Sequence, residues 1–296
     1  MTPKNCSNSA TLQKKRALQL ILGVAAPLVL VSTLVGAVTR TRTDIASPNI
    51  FTENFEKGDL SKWKKDLCCD HSAEIVSSPT RAGDRAVKFT LKKSDPYVAN
   101  SKRAELGLGT VAANSERWYG FSNYLPQDWV NDPSFEITAQ FHSKPDSALG
   151  EDWRSPALTL AIYEDKWRIS NRWDSKQVTK NNNPGPEGGS EGWWVGEIEK
   201  EKWTDWVFHV KWSHKSDGLI EVWKDGKLVL SKTGPNTYND ERGPFLKMGI
   251  YKPHWKYKPE RSKATKRVIY FDELRVGDAS ASYEDVVPTN KTKENI

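Results

Sequence analysis

The sequence predicts an all-β protein, a sandwich or jelly roll of two antiparallel sheets, and three observations carry that reading. From Phe51 onward apolar and polar residues alternate in short runs punctuated by Gly, Pro, Asn and Asp, which is the period-two pattern of half-buried strands. Thirteen Trp, nine Tyr and nine Phe in 296 residues supply the rings that sheet packing favours. The pair Asp225-Gly226 between two such runs is a strong hairpin signal, because a type I′ turn needs positive φ at both central residues.

Taken in order, the chain begins with Lys14, Lys15 and Arg16 and then an uncharged, apolar-rich stretch from Ala17 to Val38, about 22 residues and long enough to span a bilayer. Val35 and Ala37 give the small-residue pattern of a signal-peptidase site, so residues 1–37 read as a secretory signal or an uncleaved anchor helix. Both readings export the remainder. Residues 38–50 form a linker, 51–280 a single domain and 281–296 a polar tail. Strands are predicted at 86–91, 103–108, 117–124, 136–142, 157–163, 166–171, 203–212, 219–224, 227–231, 245–251 and 267–276. The runs 219–224 and 227–231 pair through the Asp225-Gly226 turn. Residues Asn181 to Gly192 (NNNPGPEGGSEG) read as a long loop placed to cover a cleft.

Charge excludes one class of partner. The 44 Lys plus Arg exceed the 38 Asp plus Glu by six, but residues 1–37 hold four basic residues and no acids, leaving 40 against 38 in the exported part. A nucleic-acid-binding role needs concentrated positive charge, and the exported part is nearly balanced. A local basic cluster remains at Lys252, Lys256, Lys258, Arg261, Lys263, Lys266 and Arg267; it reads either as a solvated loop or as a rim that attracts polyanions. Of the three Cys, Cys68 and Cys69 are adjacent, with Cα atoms about 3.8 Å apart across a trans peptide, closer than an unstrained disulfide prefers. Packed thiols are expected there, in a fold whose stability comes from its core.

Strand alternation nominates the site, because residues two apart share a face. Arg103 with Glu105, Gln140 with His142, Lys247 with Gly249 and Tyr251, and Arg117 with Tyr119 each place polar groups together. On the concave side of a curved sheet they make a groove with cations, an amide, an imidazole and a phenol, a set suited to an acidic sugar chain. A structural ion pair between Arg103 and Glu105 is an equally good reading of those two. Trp193 and Trp194, at the end of the Gly-rich loop, offer a stacking platform. His71, His209 and His214 read as structural.

The runs KRAELG (102–107), ERWYGFSNYLPQDW (116–129), QFH (140–142), WTDWVFHVKWS (203–213), GLIEVWKDGKLVL (218–230), GPFLKMGIYK (243–252) and YFDELRVGD (270–278) resemble the polysaccharide lyase family that includes heparin lyase I and glucuronan lyase. The layout of Arg-x-Glu-Leu, Gln-x-His and Lys-x-Gly-x-Tyr strands is also similar to that of jelly-roll alginate lyases. The resemblance covers most of residues 51–278. It implies a concanavalin-like β-sandwich with a concave substrate groove and β-elimination on a uronic-acid-containing polysaccharide. Carried over by motif, His142 and Tyr251 are the catalytic pair, and Gln140 and Arg103 neutralise the substrate carboxylate. Lys247, Lys252, Arg117, Glu105, Trp193 and Trp194 are the candidate substrate-binding residues. Elimination requires a base for the C5 proton, an acid for the leaving O4 and stabilisation of the charge developing on the carboxylate. Tyr251 serves as the acid, and as a base only beside cations such as Lys247, Lys252 or Arg103, since tyrosine ordinarily titrates near 10. Either His142 or Tyr251 fits the base. The reaction requires no cofactor; a structural Ca²⁺ is admitted at Glu53, in the run FTENFEKGDL, and Asp272, both hard oxygen donors at strand ends.

The expected partner is an acidic polysaccharide, the expected state a monomer, and any membrane contact is through the N-terminal segment alone. Two other functions compete. A glycoside hydrolase needs two carboxylates flanking the scissile bond, and no Glu-x-Asp-x-x-Glu or Glu-x-Asp-x-Glu run is present. A lectin has no use for His142 and Tyr251 together on a groove face.

Overall fold

The computed structural model describes residues 47–180 and 188–289. The predicted leader at 1–37, the first part of the linker and the last residues of the tail lie outside the described residues, as does the start of the predicted loop at 181–187. Among the described residues no helix is long and apolar enough to cross a membrane. Among the described residues fifteen strands in antiparallel pairs build two sheets, as the alternation predicts. In chain order they are β1 (Ile50–Glu53), β2 (Lys64–Asp66), β3 (Ala73–Val76), β4 (Ala86–Lys92), β5 (Arg103–Gly107), β6 (Glu116–Tyr124), β7 (Glu136–His142) and β8 (Leu158–Tyr163). They continue with β9 (Lys166–Asp174), β10 (Gly188–Glu197), β11 (Trp203–Lys211), β12 (Leu219–Lys224), β13 (Lys227–Thr233), β14 (Phe245–Tyr251) and β15 (Lys266–Gly277). The first sheet runs β13-β12-β11-β6-β15-β4-β3, with β1 also paired to β15; the second runs β10-β9-β8-β7-β14-β5-β2.

The core is the space between the sheets, and aromatic residues fill it. Tyr119, Phe121, Trp206 and Phe208 of the first sheet are buried, as are Phe141, Leu160, Trp167 and Met248 of the second. Rings meet across the gap: Tyr119 with Phe141 at 4.8 Å, Phe141 with Phe208 at 5.3 Å and Trp167 with Trp206 edge-on at 5.3 Å. Buried rings in such geometries add stabilisation beyond the area they remove from water. The Asp225-Gly226 turn has φ of 49° and 79°, the primed turn expected, and it joins β12 to β13.

Four differences from the sequence reading have local causes. β1, β2 and β3 are only three or four residues long, too short for alternation to register. The predicted loop gives way from Gly188 to the edge strand β10, whose glycines make room for its neighbour: a Cβ at Gly189 would lie 2.5 Å from the Trp173 ring, and one at Gly192 2.3 Å from the Arg168 guanidinium. The tail is tied down through a short helix, Tyr283–Val286, capped by Ser282 and Asp285; Val286 is fully buried where a side chain at Gly120 would clash. Cys68 and Cys69 form a disulfide between neighbours rather than packed thiols.

Candidate active site

Strands β5, β14 and β7 lie side by side, and their register assembles the site. Tyr251 stands opposite Arg103, Lys247 stands opposite Gln140 and Gly107, and Phe245 stands opposite His142. A bulge between β14 and β7 brings Ile137 rather than Glu136 beside Tyr251, so Gln140, His142 and Ile137 share the groove face. Gly249 sits at that bulge with φ of 134°, and a Cβ there would lie 2.2 Å from the Ala104 carbonyl oxygen. A glycine is what lets β14 approach β5 this closely.

These residues line a groove of about 1050 Å³. Its walls rise at the two ends of the strands: Ala99–Ser101, Pro253 and Tyr257 at the Tyr251 end, and Lys144 with Trp153–Pro156 at the His142 end. Walls so placed leave the groove running across the strands.

Glu105 organises the charges beneath the groove. It is 2% exposed, and its carboxylate accepts hydrogen bonds from Arg103 at 3.2 Å, Lys247 at 2.8 Å and the Gln140 amide. Asp66 pairs with the same two cations, and the Arg103 guanidinium lies over the Tyr251 ring at 4.3 Å. The ring nitrogen Nδ1 of His142 is 2.7 Å from the Ser143 carbonyl oxygen, a distance at which Nδ1–H donates and Nε2 keeps its lone pair. Burial pushes the imidazolium down, to about 4; Lys247 and Arg103 add to that, while the Ser143 carbonyl and Glu105 oppose it. His142 is therefore neutral near pH 7. Phe245 stacks on its ring at 5.7 Å, and Trp153, 67% exposed, meets it edge-on at 5.2 Å.

Arg103, Gln140, His142, Lys247 and Tyr251 are thus brought together as predicted. Glu105 is corrected from substrate contact to buried counter-ion, because its carboxylate is occupied by its neighbours. Lys252 is corrected as well. It is fully buried just past the end of β14, with Nζ 3.2 Å from Asp132 and 3.3 Å from Glu136; Arg267 of the other sheet completes the cluster, 2.8 Å from Glu136. Burial pushes the Asp132 carboxyl up, but the Ser262 hydroxyl and the Lys252 ammonium pull it well below the usual carboxylate range. Two members of the predicted basic rim, Lys252 and Arg267, are therefore internal ions.

Arg117 belongs to the other sheet, where it pairs with Val210 and donates to the Glu116 carbonyl, away from the groove. Trp193 faces the core, while Trp194 lies on the groove side of β10. Glu53 accepts from the Phe55 amide and pairs with Lys62; Asp272 accepts from the amides of Arg81, Ala82 and Glu273. Burial raises Asp272 to about 7, and those amides oppose the shift. Among the described residues neither carboxylate belongs to a group of three metal-ligating side chains. His209 is clasped between Glu116 and Glu221, both at 2.8 Å, as a structural residue. Alternation missed Asp66, Trp153 and the wall residue Lys144, which sit on a three-residue strand or on loops; an isolated Trp in the polar run 150–155 is the signal that marks Trp153.

Residues 55–275 match the model of the family described as polysaccharide lyase. Among solved structures, the endo-beta-1,4-glucuronan lyase from the fungus Trichoderma reesei is similar with a TM-score of 0.70 and 21% identity, over 81% of this chain and 99% of that one. The cellulose induced protein Cip1 is similar with a TM-score of 0.51 and 14% identity, over 78% of this chain and 97% of that one. Alginate lyase A1-II′ is similar with a TM-score of 0.50 and 14% identity, over 74% and 96%. At these identities the structural likenesses establish the fold. No curated protein matches the chain.

Proposed function

This chain belongs to the polysaccharide lyase family, and from that premise we propose that it cleaves a uronic-acid-containing anionic polysaccharide by β-elimination in the groove of Arg103, Gln140, His142 and Tyr251. The observation that supports this most is the convergence on adjacent strands of a neutral imidazole, a phenol, an amide and two cations in one groove. Each has a task. The substrate carboxylate gains charge as the C5 proton leaves, and Arg103 with the second N–H of the Gln140 amide stabilises it. The base takes the C5 proton, the C4–C5 double bond forms as the C4–O4 bond breaks, and Tyr251 protonates O4. No water or cofactor is consumed. Nε2 of His142 and Oη of Tyr251 are the two atoms that exchange protons. With the C5 hydrogen and O4 on the same face of the sugar, Tyr251 serves both steps; with them on opposite faces, His142 is the base.

Ion pairs hold the two groove cations in place. Arg103 and Lys247 are neutralised from beneath by Glu105 and Asp66, so the groove attracts carboxylates without heavy excess charge. That balance, and the near-neutral exported sequence, favour glucuronan-like or related uronate polymers over heavily sulfated ones. Export through the 1–37 segment and a monomeric state belong to the same reading.

The test offers glucuronan, alginate and heparin separately to the purified domain and follows ultraviolet absorbance. A rise with one polymer establishes elimination and names the substrate, because hydrolysis makes no unsaturated uronate. Retention on a polymer column with no rise for any of the three overturns the reading in favour of a binding module.

A further inference from the structure

The row of residues that contains Tyr251 does not stop at Ile137, the last of its members to line the groove. Read across the second sheet, the paired positions are Arg103, Tyr251, Ile137, Ala161, Arg168 and Trp194, each hydrogen-bond register leading to the next. Ala161 is small and fully buried, so it raises no side chain of its own between Ile137 and Arg168. At the far end Trp194 is 46% exposed on the edge strand, stacks on Tyr163 at 5.8 Å with the rings 13° from parallel, and has the Arg168 guanidinium 5.0 Å from its ring. The absence of a side chain at Gly192 leaves the space Arg168 occupies.

Arg168 differs from the cations near Tyr251. Arg103, Lys247, Arg154 and Lys252 are each ion-paired, whereas Arg168 has no carboxylate partner among the described residues; its one side-chain hydrogen bond is to the Ser170 hydroxyl at 3.4 Å. An unpaired guanidinium beside an exposed indole is what a uronate ring requires: C–H groups of the sugar face stack on the ring, and the carboxylate meets the cation. Resting on the proposed elimination, we infer that Trp194, Tyr163 and Arg168 form a distal subsite for a uronate residue of the same polymer, four strand steps or about 19 Å from Tyr251 across the sheet. A chain lying across the strands is thus held at two points, the scissile bond over β14 and a ring several residues away over β10. Two-point holding favours internal cleavage of long chains over trimming of ends.

The experiment uses Tyr251→Phe, expected to bind the polymer without turning it over, and measures by calorimetry its affinity for oligomers of graded length prepared from the polymer that the wild-type enzyme cleaves. Affinity is expected to rise again once the oligomer is long enough to reach Trp194. In Tyr251→Phe/Trp194→Ala that second rise is lost, a reduction of about three- to tenfold for the long oligomers, and Trp194→Phe restores part of it. In Tyr251→Phe/Arg168→Gln the rise becomes smaller and less sensitive to salt. An equal rise with length in the parent and the Trp194→Ala double variant overturns the distal subsite while leaving the elimination reading in place. A polymer panel in which nothing is cleaved or bound overturns that reading, and the distal subsite falls with it.

Discussion

Replacing Lys252 separates its two assigned roles, substrate contact as read from the sequence and internal counter-ion as placed by the structure. Lys252→Met keeps the length and apolar stem of the side chain but removes the ammonium from between Asp132 and Glu136. Arg267 then faces both carboxylates alone, in a cluster whose four members are at most 1% exposed. Removing one partner of a buried ion pair costs about 3–5 kcal/mol, because the remaining charge is left in a poorly solvating interior. For a domain of this size each kcal/mol lowers the midpoint of thermal unfolding by roughly 2–4 °C, so a fall on the order of 10 °C is expected. Activity at low temperature should fall less than stability, through Tyr251, whose place at the end of β14 the cluster anchors. Circular dichroism on heating gives the stability, and polymer affinity in the Tyr251→Phe background gives the binding. A midpoint within about 2 °C of wild type together with a large loss of polymer affinity would refute the internal role.

Tyr251→Phe should remove most turnover with little loss of binding, since only the proton-transferring hydroxyl is deleted; near-normal turnover would sink its role. His142→Ala should likewise cut turnover, and an unaffected rate would reduce His142 to a structural residue. The pH profile follows from the depressed His142 value: the imidazole stays neutral as pH falls until about 4, so the acid limb of kcat/KM assigned to it lies near 4. An acid limb at the ordinary histidine value of about 6.5 would contradict the burial argument. Gly249→Ala forces a side chain into the Ala104 carbonyl at a backbone angle L-residues rarely adopt, and a loss of stability of about 2 kcal/mol or more is expected in denaturant titration. A saturable rise of the unfolding midpoint with added Ca²⁺, lost in Asp272→Asn, would place a structural cation at Asp272 and Glu53; an unchanged midpoint would leave the two carboxylates to the amides and the Lys62 ammonium that hold them.

Alternation was most legible where a strand has one core face and one groove face. The bounds of β7, β12 and β14 coincide with the predicted runs, and the pairs Gln140 with His142 and Lys247 with Tyr251 do share the groove. The ion pair between Arg103 and Glu105 was also legible, as one of two readings of that spacing. What a single strand does not carry is the identity of its neighbours. Asp66 comes from a three-residue strand and Trp153 from a loop, and only the assembled sheet sets them beside Arg103 and His142. The edge strand β10 was illegible for a related reason: its Gly and Ser content suits close approach to the side chains of β9, and composition alone reads that as a loop.

The two misplaced cations show the limit of the rule most clearly. Alternation says that Tyr251 and Lys252 must point to opposite faces, so a groove-facing Tyr251 already commits Lys252 to the space between the sheets. A lysine so placed is sustainable only with acids arriving from elsewhere, and Asp132 and Glu136 supply them. Arg117 shows the converse. It shares a face with Tyr119, and that face is the inner one of the first sheet, so a correct statement about the strand said nothing about the groove of the second. Parity along a strand fixes relative direction; which sheet the strand joins decides whether that direction is core, groove or solvent. In this chain the second decision rests on pairings between residues more than a hundred positions apart, such as Lys247 with Gln140 and Gly107.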